Sequence, residues 1–565
     1  MNNKAKIAYF SMEIGLSNNM PTYSGGLGVL AGDTIKSSAD LKIPLVAVTL
    51  ISKKGFFRQD IDPEGRQIEY PVNWEPSKYL IHLPKKVDVQ IEGRKVCIYA
   101  WSYKVRSVTG GEVEIIFLDT DNKENTTEDR EITAYLYGGD DCYRLKQEIV
   151  LGIGGVRMLH ALGFHINKYH MNEGHASFLT LELLIMSKRD VESVWDERWV
   201  WDLDAVKDLC VFTTHTPIET GHDKYTYDLV KKVLGETVPI EILKTLAGEN
   251  QLNMTLLALN LSKYVNGVAK KHGEVSKSLF PGYEINAITN GVHSFTWTCG
   301  SFAKLYDKYI QGWANEPELF VRSETIPDEE LWEAHIKAKD DLLSFVKQTN
   351  GIELNRESLT IGFARRFTSY KRADLIFTNL ERLLKIGEKW SIQIIYAGKA
   401  HPKDTPGKDI IKRINEIEKT IRDKIRVVFL KDYNIDMALK LISGVDVWLN
   451  TPLRPREASG TSGMKAAHNG VINFSILDGW WIEGHIEGIT GWSIGPKPFE
   501  ISLTNTNDAA DAEDLYNKLE NTIAQIYYND KEQWIKIMKN SISKIAYYFN
   551  SHRMMRRYVT EAYLR

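Results

Sequence analysis

Ten residues constrain this chain more than any others: Arg456-Glu457-Ala458-Ser459-Gly460-Thr461-Ser462-Gly463-Met464-Lys465. A hydrophobic run at 445–449 precedes them and a second, at 471–476, follows, with Gly470 closing a short helix in between. Strand, small-residue turn, helix and strand form the unit that offers backbone N–H groups to an anion at a helix start. Thr461 and Lys465 stand four residues apart, so on a helix they share a face one turn apart. An anion on the N–H groups of Gly460 and Thr461 then leaves an amine one turn deeper, the layout wanted by a cofactor with a phosphate at one end and an aldehyde at the other. A lysine on a helix is ordinarily a solvated charge, and spacing alone leaves that reading open. The small and apolar neighbours Gly463, Met464, Ala466 and Ala467 weigh against full exposure.

At 565 residues the chain is too long for one core, and two large domains are expected. A net charge of -3 lacks the basic excess that a nucleic-acid partner requires. The longest apolar stretches are strand-sized, so no membrane span is expected. Cys97, Cys142, Cys210 and Cys299 are scattered without a C-x-x-C pair and read as reduced thiols of a cytoplasmic protein.

In chain order, 6–13 reads as a buried strand, the loop Pro21-Thr22-Tyr23-Ser24-Gly25-Gly26-Leu27-Gly28 opens a helix, and 43–51 is a second strand. The dinucleotide fingerprint is met there only in the relaxed form Gly26-x-Gly28-x-x-Ala31, with no acidic residue ending the second strand. Alternating segments within 53–135 predict an antiparallel excursion. His160, His165, His170 and His175 recur every five residues, a period that lines no single face, so no metal site is expected from them. Residues 195–204 read as a loop. The strand 210–214 delivers His215 to a carboxyl end, where ligands bind in parallel sheets, although a lone histidine there is as readily structural. Residues 265–279 read as a helix, and Asn290-Gly291 as a tight turn near a domain boundary. Beyond it, strands at 359–364, 392–396, 425–430, 445–449 and 471–476 alternate with helices at 372–386, 409–422 and 435–443, a doubly wound parallel sheet. After the first of these strands, Arg365-Arg366-Phe367-Thr368-Ser369-Tyr370-Lys371-Arg372 carries four cations in eight residues. Such a run is commonly a solvated face; at a strand end it suits phosphate, which arginine binds through two donors and lysine as a point charge.

E-A-S-G-T-x-x-M-K at 457–465 resembles the pyridoxal-phosphate segment of the α-glucan phosphorylases (glycogen, starch and maltodextrin phosphorylase). Ser462-Gly463, where long members carry Gly-Asn, resembles the short prokaryotic type. Further segments resemble the family in its order: Y-F-S-M-E and G-G-L-G-x-L-A near the start, R-L-K-Q-E at 144–148, Asn172-Glu173-Gly174-His175, T-T-H-T, T-N-G-V, R-R-x-x-x-Y-K-R, A-G-K-A and Lys431-Asp432-Tyr433. The resemblance implies two Rossmann-like doubly wound α/β domains with a cleft between them: 1–290, handling the sugar and bearing the antiparallel excursion, and 291–565, holding pyridoxal 5'-phosphate, its terminal helix packing back on the first.

It further implies reversible phosphorolysis of the terminal α-1,4-linked glucose of a glucan or maltodextrin, with inorganic phosphate as attacking group, α-glucose 1-phosphate as product and retained configuration. Lys465 then forms the Schiff base, with Gly460, Thr461, Arg365 and Tyr433 around the cofactor. Lys371, Arg366 and His215 carry the catalytic step, and Gly25, Gly26, Leu27, Asn290, Glu457 and Tyr370 bind substrate. The cofactor phosphate serves as proton relay to the substrate phosphate; no metal is implied, and a homodimer is expected. Two rivals fit less well. A nucleotide-sugar-dependent glucan synthase of the same architecture has no use for Lys465, and a silent glucan-binding protein has none for Arg366 and Lys371.

Overall fold

A computed structural model describes residues 5–189, 197–497 and 507–564. The strand Ile7–Ser11 is buried throughout, as a strand covered on both faces must be. It pairs in parallel with Leu45–Leu50 on one side and Lys168–Asn172 on the other. From there the sheet extends through Cys210–Thr213 and Tyr264–Gly267 to Asn286–Ala287 at one edge. On the opposite side Leu45–Leu50 pairs in parallel with Glu112–Asp119, and two antiparallel strands, Arg94–Arg106 and Ile81–Ile91, complete nine. This antiparallel edge is the excursion that the alternating pattern of 53–135 predicts.

The second sheet has six parallel strands in the order Arg426–Leu430, Ile392–Ala397, Leu359–Ala364, Val447–Asn450, Ile472–Ile476 and Gly491–Ile494. In chain order this is 3-2-1-4-5-6, the doubly wound arrangement in which ligands bind where the order reverses. The reversal falls between Leu359–Ala364 and Val447–Asn450 here, and between Ile7–Ser11 and Lys168–Asn172 in the first sheet. The segments leaving three of these carboxyl ends carry Gly25, Gly26 and Leu27, then Arg365, Arg366, Tyr370 and Lys371, then Glu457 to Lys465, whereas His215, Asn290 and Tyr433 leave the neighbouring strands Cys210–Thr213, Asn286–Ala287 and Arg426–Leu430. Among the described residues no helix is long and apolar enough to cross a membrane, and the four cysteines are free thiols.

Three local expectations are corrected. The segment 265–279 is not one helix: Tyr264–Gly267 is a buried strand, and the helix is Lys270–Leu279. A slot between two parallel strands overrides a local pattern that suits either state. The segment 372–386 is broken at Arg372, whose φ of 45° turns the chain so that its guanidinium bonds the Thr451 and Pro452 carbonyls and Asp511; the helix is Leu380–Lys389. Of the loop expected over 195–204, residues 195 and 196 lie outside the described residues, and a helix, Leu203–Leu209, begins before its end.

The end of the chain joins the two sheets. Trp534, Ile537 and Met538 pack with the second sheet, whereas Met554, Met555 and Tyr558 pack with Ile7 and Tyr9 of the first. The Tyr558 hydroxyl meets Thr213 Oγ1 (3.1 Å) and accepts from Asn266 (3.0 Å), and Tyr563 Oη lies 2.7 Å from His170 Nδ1. Arg553 donates to the carbonyls of Thr289 (2.7 Å) and Asn290 (3.0 Å), clamping the crossover. A Cβ at Gly291 would stand 2.1 Å from the Asn550 carbonyl oxygen, so only glycine admits this approach. Gly291→Ala is expected to lower stability by roughly 1–3 kcal/mol through overpacking, and to expose the tail to protease; denaturant unfolding followed by tryptophan fluorescence measures the first effect.

Candidate active site

Arg365 leaves the carboxyl end of Leu359–Ala364, and Lys371 follows on the next turn. Both converge on one oxygen: Glu457 Oε2 accepts from Arg365 Nη2 at 2.5 Å and from Lys371 Nζ at 2.7 Å. Arg365 Nη1 also donates to Asn450 Oδ1 (3.0 Å), at the end of the neighbouring strand. Burial opposes ionisation of Glu457, but the charges of Arg365 and Lys371 hold its carboxyl at about 2. The turn carrying Glu457 is fixed from below, because its N–H donates to Asp478 Oδ2 (2.8 Å). Burial, together with the nearby Glu457 charge, pushes Asp478 up to about 7. Lys371 Nζ also lies 4.3 Å from the centre of the Tyr370 ring.

Thr461 stands at the N-cap position of the helix Ser462–Ala467 without a side-chain cap hydrogen bond, and Lys465 follows one turn on with 8% exposure. Its amine rests 3.9 Å from the centre of the Trp297 ring, and burial lowers its pKa to about 8. The solvated reading of this lysine is thus excluded. Gly463 explains one local choice of residue: a Cβ there would stand 2.1 Å from Asn473 Oδ1 and 2.7 Å from the Trp480 ring.

The opposite wall comes from the first sheet. Glu13 Oε2 accepts the N–H groups of Ser24 (2.5 Å) and Gly25 (3.2 Å), and Tyr137 donates to its other oxygen (3.0 Å), which shapes the glycine loop before the helix Gly26–Asp40. Leu27 lies half-buried in its first turn. Arg366 is exposed and crosses to this loop: its Nη2 donates to Ser24 Oγ (3.3 Å) and would lie 3.3 Å from a Cβ on Gly25. Glu173, at a φ of 73°, accepts the His215 N–H (2.7 Å), the Thr216 hydroxyl (2.9 Å) and the Gly174 N–H (3.0 Å). His215 Nε2 lies 2.7 Å from Asn172 Oδ1, and burial pushes this imidazole down to about 3, so it is neutral. Asn290 is buried, its N–H donating to Val268 O, and its Oδ1 has no partner among the described residues.

The structure therefore gathers Gly25, Ser24 and Arg366 in one place, and Arg365, Lys371, Tyr370 and Glu457 in another on the same strand ends. Tyr433 is half-buried, its phenol raised by burial and by Tyr23, with the Arg365 charge opposing. Arg372, the fourth cation of the run, is consumed by Asp508 and Asp511. Sequence reasoning missed Asp33, Trp297 and Asp478. Of these only Asp478 leaves a trace, an Asp-Gly pair directly after a buried strand.

His170 is consumed by Tyr563 and Thr213. Among the described residues, the donors that do lie close enough for a metal are Asp40, His293 and His552. The Thr296 N–H donates to His293 Nδ1, which places the imidazole proton on Nε2, 2.7 Å from Asp40 Oδ2. His552 Nε2 meets the same oxygen at 2.8 Å, so the group is a hydrogen-bonded clasp between first helix, crossover and tail.

The folded value of the Glu457 carboxyl lies below its usual 4.5, so it adds stability that is complete above about pH 4.5 and lost as pH falls towards 2. Glu457→Gln is expected to be less stable than the parent near neutrality, by on the order of 3 kcal/mol, and to converge with it in acid. Denaturant titrations across this range measure the difference, and a gap independent of pH would contradict the assigned pairing.

The carbohydrate phosphorylase family model matches residues 239–488, which include the cation run and the 456–465 stretch. A maltodextrin phosphorylase of Thermococcus litoralis is 42% identical over 595 aligned residues, 99% of this chain and 70% of that one. A glycogen phosphorylase of Aquifex aeolicus is 38% identical, covering 99% of this chain and 86% of that one. An uncharacterised protein of Methanocaldococcus jannaschii is 33% identical, covering 98% of this chain and 99% of that one. With its two doubly wound sheets and the strand-end cations, the chain belongs to the carbohydrate phosphorylase family of enzymes.

Proposed function

We propose that the protein catalyses reversible phosphorolysis of the terminal α-1,4-linked glucose of a glucan or maltodextrin, releasing α-glucose 1-phosphate, with pyridoxal 5'-phosphate held at Lys465. The observation that carries this reading is the convergence of Arg365 and Lys371 on Glu457, in the same strand-to-helix segment that carries the buried amine of Lys465 eight residues on. Two cations on one carboxylate leave a net positive charge at the strand ends, and Arg366 adds a third cation from the cleft side. Such a surplus suits two neighbouring phosphates.

The residues fit the cofactor. Lys465 has a shielded amine with lowered proton affinity, so a larger fraction than of a solvated lysine is unprotonated near neutral pH and able to attack a carbonyl. Gly460 and Thr461 open the helix below it, and Arg365 and Tyr433 are the groups assigned to the phosphate end. Because the helix has only six residues, N–H groups and side chains, rather than a long helix dipole, supply the attraction. Bound there, the cofactor supplies a phosphate whose second pKa near 6 lets it exchange a proton with the substrate phosphate around neutrality.

The chain's own residues do the rest. Arg366 and Lys371 hold the incoming phosphate against its like-charged neighbour, and Glu457 keeps Lys371 and Arg365 in register. Two of the carboxylates at the strand ends are committed, Glu457 to cations and Glu173 to N–H and hydroxyl donors, so these two do not form a glycosidase-like acid–base pair. The turn locked by Glu173 holds the main chain of His215, and we assign its carbonyl to the developing positive charge of the sugar. Gly25, Gly26, Leu27, Asn290 and Tyr370 form the sugar and phosphate walls. A homodimer and a cytoplasmic location belong to the same reading; the four free thiols bear on the location alone.

Borohydride reduction followed by peptide mapping is expected to place a pyridoxyl adduct on Lys465, and an adduct elsewhere would overturn the site. Arg366→Ala is expected to lower kcat/KM for phosphate by about 10²-fold or more, measured as glucose 1-phosphate released from maltodextrin.

A further inference from the structure

Asp33, Lys36 and Asp40 occupy one face of the helix Gly26–Asp40, three and four residues apart. All three reach the same short stretch of the crossover. Both carboxylate oxygens of Asp33 accept the Trp297 indole N–H, at 3.0 and 2.9 Å. Lys36 Nζ donates to Thr296 Oγ1 at 3.2 Å, and Asp40 takes His293 at 2.7 Å. From its other side this stretch is fastened to the helix of Lys465. Ser294 Oγ lies 2.9 Å from His468 Nε2, and Asn469 donates to the Trp297 carbonyl (2.7 Å) while accepting from the Cys299 N–H (2.8 Å).

Trp297 thus has its backbone tied to one sheet's helix and its indole tied to the other's, with 1% of its surface exposed. A buried indole N–H needs an acceptor, and a carboxylate is the strongest available. The face of this ring is where the Lys465 amine rests, 3.9 Å from its centre.

We propose that Asp33 is a positioning residue for Lys465: by holding the Trp297 indole it fixes the aromatic floor under the amine, and with it the point from which the amine meets a carbonyl group. This rests on the reading of Lys465 as the attachment point. Asp33 is also an electrostatic neighbour. Burial lowers the proton affinity of Lys465, Asp33 raises it, and Lys36 lowers it again. Asp33 therefore acts in two separable ways, through the ring and through its charge.

The test follows covalent uptake of pyridoxal phosphate by the cofactor-stripped full-length chain, by absorbance, as a function of pH, with borohydride mapping of the adduct. Asp33→Asn keeps an acceptor and removes the charge; the pH at which uptake reaches half its maximum is expected to lie below the parental value with the maximal rate retained. Asp33→Ala and Trp297→Phe remove the tether, and the maximal rate is expected to fall about tenfold with the adduct still on Lys465. The near-isosteric Asp33→Asn and the ring-preserving Trp297→Phe guard against loss of folding, which circular dichroism checks. Parental midpoint and rate in all three variants would overturn the proposal alone. Absence of any Lys465 adduct in the parent would overturn it together with the cofactor reading.

Discussion

Two cations sharing one carboxylate oxygen is the constraint on which the site depends. Arg365 and Lys371 are both largely buried, and an uncompensated buried charge is costly. Glu457 relieves only part of that cost, since a single negative charge faces two positive ones. The remainder is available to an anion, so the same arrangement that keeps the strand ends folded also makes them attractive to phosphate. Asp478 completes the logic without adding a full charge. It anchors the Glu457 turn through backbone N–H groups, and with its carboxyl raised to about 7 it is partly protonated near neutrality.

The second requirement is that walls from two separate sheets stay in register. Several contacts do this at once. Arg366 reaches Ser24, and Asn18 Nδ2 donates to Asn434 Oδ1 (3.0 Å), which also caps the helix Ile435–Gly444. Arg553 in the tail grips the carbonyls of Thr289 and Asn290. The crossover stretch 293–297 then couples the helix behind the glycine loop to the helix of Lys465. A shift of either sheet would move the amine relative to Arg366, which is why so many polar side chains far from any substrate are spent on this one junction.

Much of the fold was legible because buried parallel strands leave long apolar runs and turns leave glycine, proline and acidic residues. The antiparallel edge at 81–119 was legible from alternation for the same reason, one face buried and one wet. Tyr264–Gly267 was not, since its short run suits helix or strand equally and only pairing with Cys210–Thr213 decides. Gly491–Ile494 was missed as a sixth strand because four residues carry too little pattern. In the candidate site, Lys465 and Lys371 stand out in the sequence because motif and spacing coincide. Trp297 does not, because nothing local distinguishes a tryptophan that supports an amine from one that fills a core.

The order of elements, the carboxyl-end placement of the cations and the run ending at Lys465 are properties of the chain itself, set by periodicity and by the turn chemistry of small residues. Which carboxylate each cation meets is a tertiary outcome. Arg372 lies beside Lys371 in sequence, yet its left-handed backbone turns it towards Asp511, while Lys371 turns to Glu457, 86 residues on. Likewise the floor beneath Lys465 comes from Trp297 and is fixed by Asp33, far away in the chain. Charges and rings act through distance in space, and no local pattern encodes which partners folding will bring within 3 Å.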